Sequence, residues 1–557
     1  MGVHMEPVWL KSYQPGVPAT INPDEYPSLN ALFTTIFAKY KNLDAFTNMG
    51  QVLTYDEVDQ QSRNFAAFLQ NELKVSRGDR FAIMMPNLLQ YPVAMIGILR
   101  AGCTVVNFNP LYTSEEFERQ VINADAVGII ILENFAHVIS DVIEKTSVKH
   151  VIVAKISDPF KLPKSILVDF VIKYIKFMVP RWSFKKFHWY KDVLSQGSKL
   201  KYNELDIAGK DIAFLQYTGG TTGVPKGAML THRNMVANIL QASAWLNKEF
   251  VPRKEIIVTA LPLYHIFSLT ANCLVFLNYG AFNVLITNPK DVKSFIKDLK
   301  KHKFTAITGV NTLFNLLLHS PEFASVDFSA LKLALGGGMA VQKIVATQWQ
   351  ELTKQPLLEA YGLSETSPAV TINPLNLKSY NGSIGLPVPS TEIMICDDEG
   401  NELGFDTPGE LCVRGPQVML GYWHQDSETK NVLSSDGWLH TGDIATVNQQ
   451  GFVKIVDRKK DMIAVSGFKV YPNEIEDVIA AMPGVREVAV IGALDPAAGE
   501  MVKAYIVKSD QSITAEGVRE YCHKHLTGYK VPKEIEFRDS LPKNNVGKIL
   551  RRALRDT

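Results

Sequence analysis

The chain has 557 residues, of which 46% are hydrophobic and 21% charged, and its 58 Lys and Arg against 57 Asp and Glu give a formal net charge of +1. This near-neutral balance argues against a dedicated nucleic-acid binder and against an acidic disordered chain, while the apolar fraction is typical of a protein with a large buried core. At about 100–200 residues for each domain, a chain of this length is expected to contain several.

The N-terminal segment and the cysteines indicate in which cellular compartment the protein is expected. Met1 to Trp9 has neither the basic nor the apolar region of a secretory signal, and no stretch reaches the roughly 18 apolar residues of a spanning helix. The cysteines are scattered without a CxxC pair or a His/Cys cluster, which favours reduced thiols over a disulfide framework or a structural zinc site. They are Cys103, Cys273, Cys396, Cys412 and Cys522. We therefore expect a cytoplasmic protein.

Helical and strand patterns alternate through the first part of the chain. Tyr55 to Leu69 has apolar residues at helical spacing, and short apolar runs of the β type cover Arg80 to Met85, Cys103 to Asn107, Val127 to Leu132 and His150 to Ala154. Strands that alternate with helices over hundreds of residues predict mainly parallel sheets covered on both faces.

The segment from Lys161 to Lys186 differs from its surroundings in charge and aromatic content. Its basic residues are Lys161, Lys164, Lys173, Lys176, Arg181, Lys185 and Lys186, interleaved with Phe170, Ile172, Tyr174, Phe177, Trp182 and Phe184. An anionic lipid surface attracts a basic, aromatic-rich amphipathic element of this kind. The alternative is a solvated insertion whose apolar face packs on its own domain, and the sequence leaves both open.

A glycine-rich loop is the strongest local signal. The sequence YTGGTTGVPKG runs from Tyr217 to Gly227, directly after the apolar run Ile212 to Leu215. Glycines let backbone N–H groups converge on an anion and threonine hydroxyls add donors, so the loop can hold a polyphosphate. It is not a Walker A loop, because Pro225 precedes Lys226.

Four further groups are weaker when each is taken alone. They are YGLSET at 361–366, DGWLHTGD at 436–443, DRKKD at 457–461 and PKNNVGKI at 542–549. Alone, they would indicate a capped helix start, a hairpin with a satisfied histidine, a solvated charged turn and a lysine at the tip of a loop.

The pattern of predicted strands and helices changes in the last fifth of the chain. Beyond the charged run at 457–461, strand patterns at Glu487 to Ile491 and Val502 to Val507 precede a helical pattern from Ala515 to His525. This length of about a hundred residues is enough for a small α+β domain on an exposed charged hinge. The C-terminal tail is basic, with Lys543, Lys548, Arg551, Arg552 and Arg555 against Asp556.

In this order and at these spacings, the five groups resemble the adenylate-forming acyl-CoA synthetases, with their luciferase and peptide-synthetase relatives. The resemblance covers nearly the whole chain, and ALPLYHIF at 260–267 and VSGFKV at 465–470 look most like bacterial long-chain fatty-acid–CoA ligases. It implies a large α/β N-terminal domain with mainly parallel sheets and an associated β-barrel subdomain, at residues 1–456. A hinge at 457–460 and a small mobile α+β domain at 461–557 complete the expected architecture.

The implied reaction has two steps. The carboxylate of a fatty acid attacks the α-phosphate of ATP, pyrophosphate leaves, and the thiol of CoA then displaces AMP to form the thioester. The resemblance implies fatty acid, ATP and CoA as substrates, Mg²⁺ as cofactor and no nucleic acid as partner. It leaves open a homodimer and peripheral contact of residues 161–186 with the inner face of a membrane. Rivals are a fatty acyl-AMP ligase that delivers to a carrier protein, an aryl-CoA ligase and a non-catalytic nucleotide-binding scaffold.

The resemblance also implies a role for particular residues in binding ATP. The β- and γ-phosphates would lie on Thr218, Gly219, Gly220, Thr221, Thr222, Gly223 and Lys226. The adenine would stack on Tyr361 beside Gly362, where Gly336, Gly337 and Gly338 allow a close backbone approach. Ser364 would contact the α-phosphate, Glu365 and Thr218 would hold Mg²⁺, and Asp443 with Arg458 would bind the ribose.

The remaining implied roles concern the acyl group and the exchange of half-reactions. Lys548 would bridge the carboxylate and the α-phosphate, and His265 would line the junction of the acyl and phosphate sites. The small domain would rotate about Lys460 and present Gly467 to the CoA arm in place of Lys548. Phe267 to Phe276 and Val310 to Leu318 are candidates for an apolar acyl tunnel, although core packing explains both ranges equally well.

Overall fold

The computed structural model describes residues 7–218, 225–246, 249–466, 468–495, 499–544 and 547–555. Within them the chain forms four β-sheets, and each takes most of its strands from one stretch of the sequence. Among the described residues, no helix is both long and apolar enough to span a bilayer.

The first stretch supplies a seven-stranded sheet. In chain order the elements are α1 (Leu29–Tyr40), β1 (Asp44–Asn48), β2 (Gln51–Thr54), α2 (Tyr55–Asn71), β3 (Arg80–Met84), α3 (Gln90–Arg100), β4 (Thr104–Asn107), α4 (Ser114–Asn123), β5 (Ala126–Leu132), α5 (Ala136–Ser140), β6 (His150–Ala154), α6 (Lys164–Phe170), β7 (His188–Trp189), α7 (Tyr190–Gly197), β8 (Ile212–Thr218), β9 (Lys226–Thr231) and α8 (His232–Leu246). The strand order is β7-β6-β5-β3-β4-β8-β9, and all neighbours are parallel except β8 and β9.

The next stretch supplies most of a nine-stranded sheet. Its elements are β10 (Ile256–Thr259), α9 (Ile266–Ser268), α10 (Val275–Asn278), β11 (Phe282–Leu285), α11 (Val292–Leu299), β12 (Ala306–Gly309), α12 (Asn311–Leu318), β13 (Leu333–Gly336), α13 (Lys343–Thr353), β14 (Leu357–Gly362), β15 (Ala369–Ile372) and β16 (Leu386–Pro387). The order is β16-β15-β14-β13-β12-β10-β11-β1-β2, with a parallel centre from β14 to β1 and antiparallel pairs at both ends.

Side chains of the first sheet alternate between two cores. Phe81 and Ile83 of β3 belong to the main core, which also contains buried residues of α2, α3 and α8, whereas Ala82 and Met84 belong to a second core with α4 and α5. Because successive strand residues point to opposite faces, both faces of this sheet are covered. The prediction of mainly parallel, doubly covered sheets is confirmed.

Local capping explains where two of these helices begin. The Thr54 hydroxyl accepts the N–H of Glu57 at 3.2 Å, and the Glu57 carboxylate accepts the N–H of Thr54 at 2.8 Å, before α2. Thr113 and Glu116 form the same reciprocal pair at the start of α4. Each pair satisfies two backbone donors that the first helical turn leaves without partners.

A smaller antiparallel sheet follows. It comprises β17 (Glu392–Cys396), β18 (Gly409–Arg414), β19 (Leu439–Val447) and β20 (Val453–Arg458), with α14 (Asp426–Val432) between the second and third strands. The resemblance implies a β-barrel subdomain, and the structure has this four-stranded antiparallel sheet near the hinge.

The C-terminal part forms a smaller unit around antiparallel strands. Its elements are β21 (Ile463–Val465), β22 (Phe468–Val470), α15 (Pro472–Ala480), β23 (Val485–Asp495), β24 (Gly499–Lys508), α16 (Ala515–His525), β25 (Glu534–Phe537) and α17 (Arg551–Arg555). The order is β22-β21-β24-β23, and β25 pairs in parallel with β24. Two hydrophobic clusters built from residues 463–554 give this part its own core, as the small α+β domain requires. The boundaries at 456 and 461 stay a prediction.

Candidate active site

One large cavity lies where the sheets and the C-terminal part meet, with a volume of about 1890 Å³. Three of the predicted segments reach it from the carboxyl ends of strands that run parallel to a neighbour, since β8 ends at Thr218, β13 at Gly336 and β14 at Gly362. Ligands of α/β sheets bind at such ends. The predicted residues that line the cavity are Thr218, Lys226, His265, Gly337, Gly338, Tyr361, Gly362, Ser364, Glu365, Asp443, Arg458, Lys460 and Lys548.

The remaining predicted residues divide into two groups. Gly336 ends β13 next to the cavity, where a Cβ atom would lie 2.4 Å from Val341 Cγ2, so the residue allows close packing behind the wall. The others lie outside the described residues, and they are Gly219, Gly220, Thr221, Thr222, Gly223 and Gly467. The two described ends of the glycine-rich loop, Thr218 and Lys226, are paired directly across β8 and β9.

A carboxylate with two side-chain partners forms one wall. The hydroxyl of Tyr361 donates to Asp443 Oδ2 at 2.6 Å, and Arg458 Nε lies 3.2 Å from Asp443 Oδ1. Asp443 and Arg458 are opposite each other in β19 and β20, so the sheet register places this ion pair. Burial, with the neighbouring Asp443 charge, raises the pKa of Tyr361 well above its usual value, which keeps the phenol a donor.

Glu365 and Lys226 meet around one tyrosine. The Tyr422 hydroxyl donates to Glu365 Oε1 at 2.7 Å, and Lys226 Nζ lies 5.5 Å from the centre of the Tyr422 ring. Lys226 also forms an ion pair with Glu428 of α14. The short turn that carries Glu365 packs against β8 and β9, which brings its carboxylate to the side of the cavity where these two strands meet the glycine-rich loop.

Lys548 reaches the cavity on a loop that docks on the large part of the chain. Its backbone N–H donates to Asn544 Oδ1 at 2.8 Å, and the Thr312 hydroxyl at the start of α12 donates to the carbonyl of Gly547 at 3.0 Å. Gly547 has φ of +89°, and a Cβ there would lie 2.7 Å from Thr312 Oγ1. The close approach and the backbone conformation both favour glycine next to the lysine.

The electrostatics of Lys548 and His265 are coupled. Burial, followed by the charge of Arg458, lowers the pKa of Lys548 to about 8. Burial, followed by the charge of Lys548, lowers the pKa of His265 to about 4. The His265 Nδ1 accepts the N–H of Phe267 at 3.3 Å, so the neutral ring carries its proton on Nε2. A neutral histidine therefore lies within electrostatic reach of a readily titrated lysine.

A buried ion cluster links the Lys548 segment to the charged run at 457–461. Arg551, three residues after Lys548, contacts Asp457 Oδ1 at 3.0 Å, Glu476 Oε2 at 2.8 Å and Asp461 Oδ2 at 3.5 Å. The Asp457 carboxylate is fully buried and also accepts the N–H of Asn473 at 2.8 Å. Arg551 thus holds the predicted hinge region and α15 to the segment that carries the lysine.

Residues from one of the two ranges predicted as an acyl tunnel line the apolar side of the cavity. Phe267, Ala271, Val275 and Phe276 line the cavity, and a Cβ on Gly337 would lie 3.1 Å from the Phe267 ring. The second range, 310–318, contributes only polar residues to the lining, namely Asn311, Thr312 and Asn315. Val310, Leu313, Phe314 and Leu317 of this range are instead part of the main core, whereas Leu316 is exposed.

Sequence reasoning missed several residues of this site. Glu359 lies in the cavity wall, where burial raises the pKa of its carboxyl to about 8 although the Val341 N–H donates to it at 2.9 Å. A single acid in the apolar run at 357–360 was the signal that could have identified it. Tyr422 and Arg551 had no local signal, because their partners are 57 and 94 residues away.

Two family models match the chain. The model described as AMP-binding enzyme matches residues 33–423, and the model described as AMP-binding enzyme C-terminal domain matches residues 474–548. The chain is 55% identical over 552 residues to the long-chain-fatty-acid–CoA ligase of Escherichia coli O157:H7, which covers 99% of this chain and 98% of the relative. It is 50% identical over 555 residues to the protein of the same name from Haemophilus influenzae, with the same coverage of both chains.

Solved structures agree on the fold. An anthranilate CoA ligase in complex with anthranoyl-AMP superimposes with a TM-score of 0.84 over 96% of this chain and 98% of that one, and its 22% identity shows the fold alone. ATP-bound MatB from Rhodopseudomonas palustris has a TM-score of 0.80 and 27% identity over 95% of this chain and 98% of that one.

Proposed function

Because the chain belongs to the AMP-binding enzyme family, we propose that it joins a long-chain fatty acid to CoA at the expense of ATP, through an acyl-AMP intermediate. The observation that carries the proposal is the convergence of Lys548, Asp443 with Arg458, and Glu365 on one cavity that also has an apolar wall. The full-length relatives named long-chain-fatty-acid–CoA ligase support the choice of acyl substrate.

In the first half-reaction, a carboxylate oxygen forms a bond to the α-phosphorus while the bond to pyrophosphate breaks. Negative charge on the phosphoryl oxygens then needs fixed cations, which act most strongly where water is excluded. We assign Lys548 to the carboxylate and α-phosphate, and the Asp443 carboxylate to the ribose hydroxyls. Tyr361 fixes Asp443 through its hydrogen bond, and Arg458 fixes it from the other oxygen.

The phosphate side fits a hard divalent cation in its donor chemistry. Glu365 offers a carboxylate and Thr218 a hydroxyl, and Mg²⁺ prefers oxygen ligands of this kind together with substrate phosphates. When bound, Mg²⁺ would neutralise phosphate charge. Glu365 and Thr218 are the residues proposed to hold it, and Tyr422 orients Glu365 by its hydrogen bond.

In the second half-reaction, the thiol sulfur of CoA bonds to the acyl carbon, and the bond to AMP breaks. Lys548 must leave the reacting carbon before this thiol can enter from the same side. The proposed motion is a rotation of the C-terminal part about Lys460, whose pKa is lowered by partial desolvation and by the charge of Arg458. The motion breaks the Thr312–Gly547 hydrogen bond that docks the lysine loop.

The test of the proposed function is thioester formation with CoA over carboxylates from acetate to oleate, with ATP and Mg²⁺. The proposal expects the highest kcat/KM with long chains. Accumulation of acyl-AMP without a CoA thioester would instead support delivery to a carrier protein, and a preference for coumarate or benzoate would support an aryl-CoA ligase. Absence of carboxylate-dependent ATP–pyrophosphate exchange would leave only the nucleotide-binding scaffold.

The rate of acyl-AMP formation should fall at alkaline pH as Lys548 loses its proton. Its pKa is lowered to about 8, so the ammonium is present below pH 8 and is lost as the pH rises further. Because kcat/KM reports the free enzyme, kcat/KM for ATP in pyrophosphate release should fall by about tenfold for each pH unit well above 8. His265 contributes no limb in this range, since its pKa is lowered to about 4. A flat profile to pH 10 would contradict the assignment.

We also propose that part of the basic segment touches an anionic membrane. The two halves of the segment differ in how far their apolar side chains are exposed. Trp182 and Phe184 pack against the second core, as an insertion on its own domain would. The part around α6 instead exposes a row of apolar side chains, with Leu162 74% and Phe177 78% exposed, and the others are Ile166, Leu167, Phe170, Tyr174, Ile175 and Met178.

Charge around this row matches a lipid surface. Lys161, Lys164 and Lys176 are exposed beside the apolar side chains, whereas Lys173 and Lys185 are paired with Glu133 and Glu144. Apolar insertion together with basic attraction is the combination by which interfacial helices bind anionic bilayers. The occupant proposed for this face is therefore the surface of a bilayer that contains anionic lipid.

Liposome flotation should separate this surface from ordinary exposed apolar residues. The intact protein should float with vesicles that contain phosphatidylglycerol and less with neutral vesicles. Leu162→Ser combined with Phe177→Ser should weaken binding by at least about tenfold, because each buried side chain contributes about 1.5–3 kcal/mol. Leu494→Ser is the matched control, since Leu494 is 88% exposed on the C-terminal part. Equal flotation of all three proteins, or none, would refute the proposal.

A further inference from the structure

Three side chains with metal-binding atoms meet on one face of the four-stranded sheet. Cys396 Sγ lies 3.2 Å from Cys412 Sγ, and Cys412 Sγ lies 3.4 Å from His440 Nδ1. All three ligand atoms lie within 4.8 Å of one another. The sequence indicates no such cluster, because the three residues are spread over 45 positions and come from three strands.

The sheet register explains the convergence. Cys412 of β18 is directly opposite His440 of β19. Cys396 ends β17 opposite Glu410, which is two residues before Cys412 and so on the same face of β18. Three adjacent strands therefore present two sulfur atoms and one imidazole nitrogen to a common point.

The surroundings of these three side chains favour a bound cation over a mere packing contact between two buried thiols and a histidine. Both thiols are buried beside Trp438, and their hydrogen bonds to protein oxygen are long, at 3.6 Å from Cys396 Sγ and 4.0 Å from Cys412 Sγ to the Glu410 carbonyl. His440 is 36% exposed, so its side of the cluster is open to solvent. The Glu410 carboxylate, 3.8 Å from His440 Nδ1, adds a negative charge.

From this geometry we propose that Cys396, Cys412 and His440 bind one thiophilic cation of the Zn²⁺ class, with water in the fourth position. Two sulfur atoms on a tetrahedral Zn²⁺ are about 3.8 Å apart for bonds of about 2.3 Å. The observed sulfur–sulfur distance of 3.2 Å thus needs a small opening of two buried side chains. Binding exchanges two thiol protons for the cation, and no oxidant is involved.

The position of this site ties it to the hinge. Glu410 accepts the N–H of Gly442 at 3.0 Å and lies 3.3 Å from Lys459 Nζ, and Lys459 also pairs with Asp398 at 2.7 Å. Asp398 is two residues after Cys396. A cation at this site would hold β17, β18 and β19 together. Glu410 and Asp398, the two carboxylates that bind Lys459, lie in β18 and just after β17, so the cation would stabilise the anchor of this hinge lysine rather than take part in the chemistry of the main cavity.

The test uses the full chain, freed of metal with a chelator under reducing conditions and then titrated with Co²⁺ as a spectroscopic probe. We expect one Co²⁺ for each chain with a thiolate-to-cobalt charge-transfer band, loss of the band on addition of Zn²⁺, and a melting temperature that rises with Zn²⁺ concentration. Cys412→Ser should abolish the band, and Cys522→Ser, which removes another buried cysteine, should leave it unchanged.

His440→Gln is a second variant that should not disturb folding, because the His440 side chain is partly exposed. This variant should keep the melting temperature of the metal-free protein while weakening Co²⁺ binding by at least about tenfold and shifting the band, as loss of one direct ligand predicts. A full-strength band in Cys412→Ser, unchanged binding in His440→Gln, or no charge-transfer band in the intact chain would each overturn the proposal.

Discussion

Replacing Lys548 by alanine should reduce acyl-AMP formation by at least about 10³-fold while leaving most of the thioester formation from supplied acyl-AMP and CoA. The reason is the place of its ammonium in the cavity beside Arg458 and near His265. Removal of one fixed group that stabilises transition-state charge typically lowers a rate by about 10²–10³-fold, and here the group is a full charge. Pyrophosphate release measures the first half-reaction, and thioester appearance measures the second.

Lys533→Ala is the matched control for this variant. Lys533 lies on the same C-terminal part, but its side chain is 55% exposed, pairs with Asp495 at 2.7 Å and does not line the cavity. Both half-reactions should stay within about twofold of the parent, since Lys533 lies outside the cavity wall that holds the proposed reacting groups. Equal loss of both half-reactions in the Lys548 variant would show that the lysine serves the fold or the binding of acyl-AMP rather than the first step.

Replacing Arg551 by alanine should cause the largest loss of stability. The change would leave the buried Asp457, and the Glu476 and Asp461 carboxylates, without their common cation. Breaking a buried ion pair by removing one partner typically lowers the free energy of unfolding by about 3–5 kcal/mol. The effect is measured by unfolding the protein in urea and using the protease susceptibility of the C-terminal part as the readout.

The matched control is Arg519→Ala in the same unit. Arg519 lies 4.0 Å from Glu516, which is 83% exposed, and donates to the Lys533 carbonyl at 3.1 Å, so its replacement should lower the free energy of unfolding by no more than about 2 kcal/mol. Similar losses in the two variants would mean that solvent reaches the Arg551 cluster in solution. Arg551→Ala should also slow acyl-AMP formation more than thioester formation, because the cluster holds the lysine-bearing segment.

The residues of the site that could be predicted lie within, or at the end of, short segments that stand out in the sequence. Asp443 and Arg458 lie in runs whose composition stands out, and the sheet register then pairs them. Tyr361 and Thr218 end strands whose apolar runs are visible in the sequence. The resemblance implies the roles of these residues, and the strand ends explain why they meet, since ligands of α/β sheets bind at the carboxyl ends of strands.

The remaining parts depend on contacts that no local pattern encodes. Arg551 belongs to a basic tail in the sequence, yet in the structure it faces three carboxylates from the hinge and α15. Cys396, Cys412 and His440 have no metal-site spacing, and only the pairing of three strands brings them together. In the same way, the sequence gives the composition of residues 161–186 but not which half faces solvent, because that depends on where the second core has room.

The ion pair between Lys226 and Glu428 has a consequence for selectivity among anions. A lysine that already holds an internal carboxylate presents a neutralised surface to solvent, so a small ion such as orthophosphate gains little by displacing its partner. A triphosphate carries several charges, so on the proposed assignment it could replace the internal carboxylate at Lys226 with stronger contacts. On the proposed assignment of Lys226 to the phosphates of ATP, this ion pair would therefore favour a triphosphate over orthophosphate.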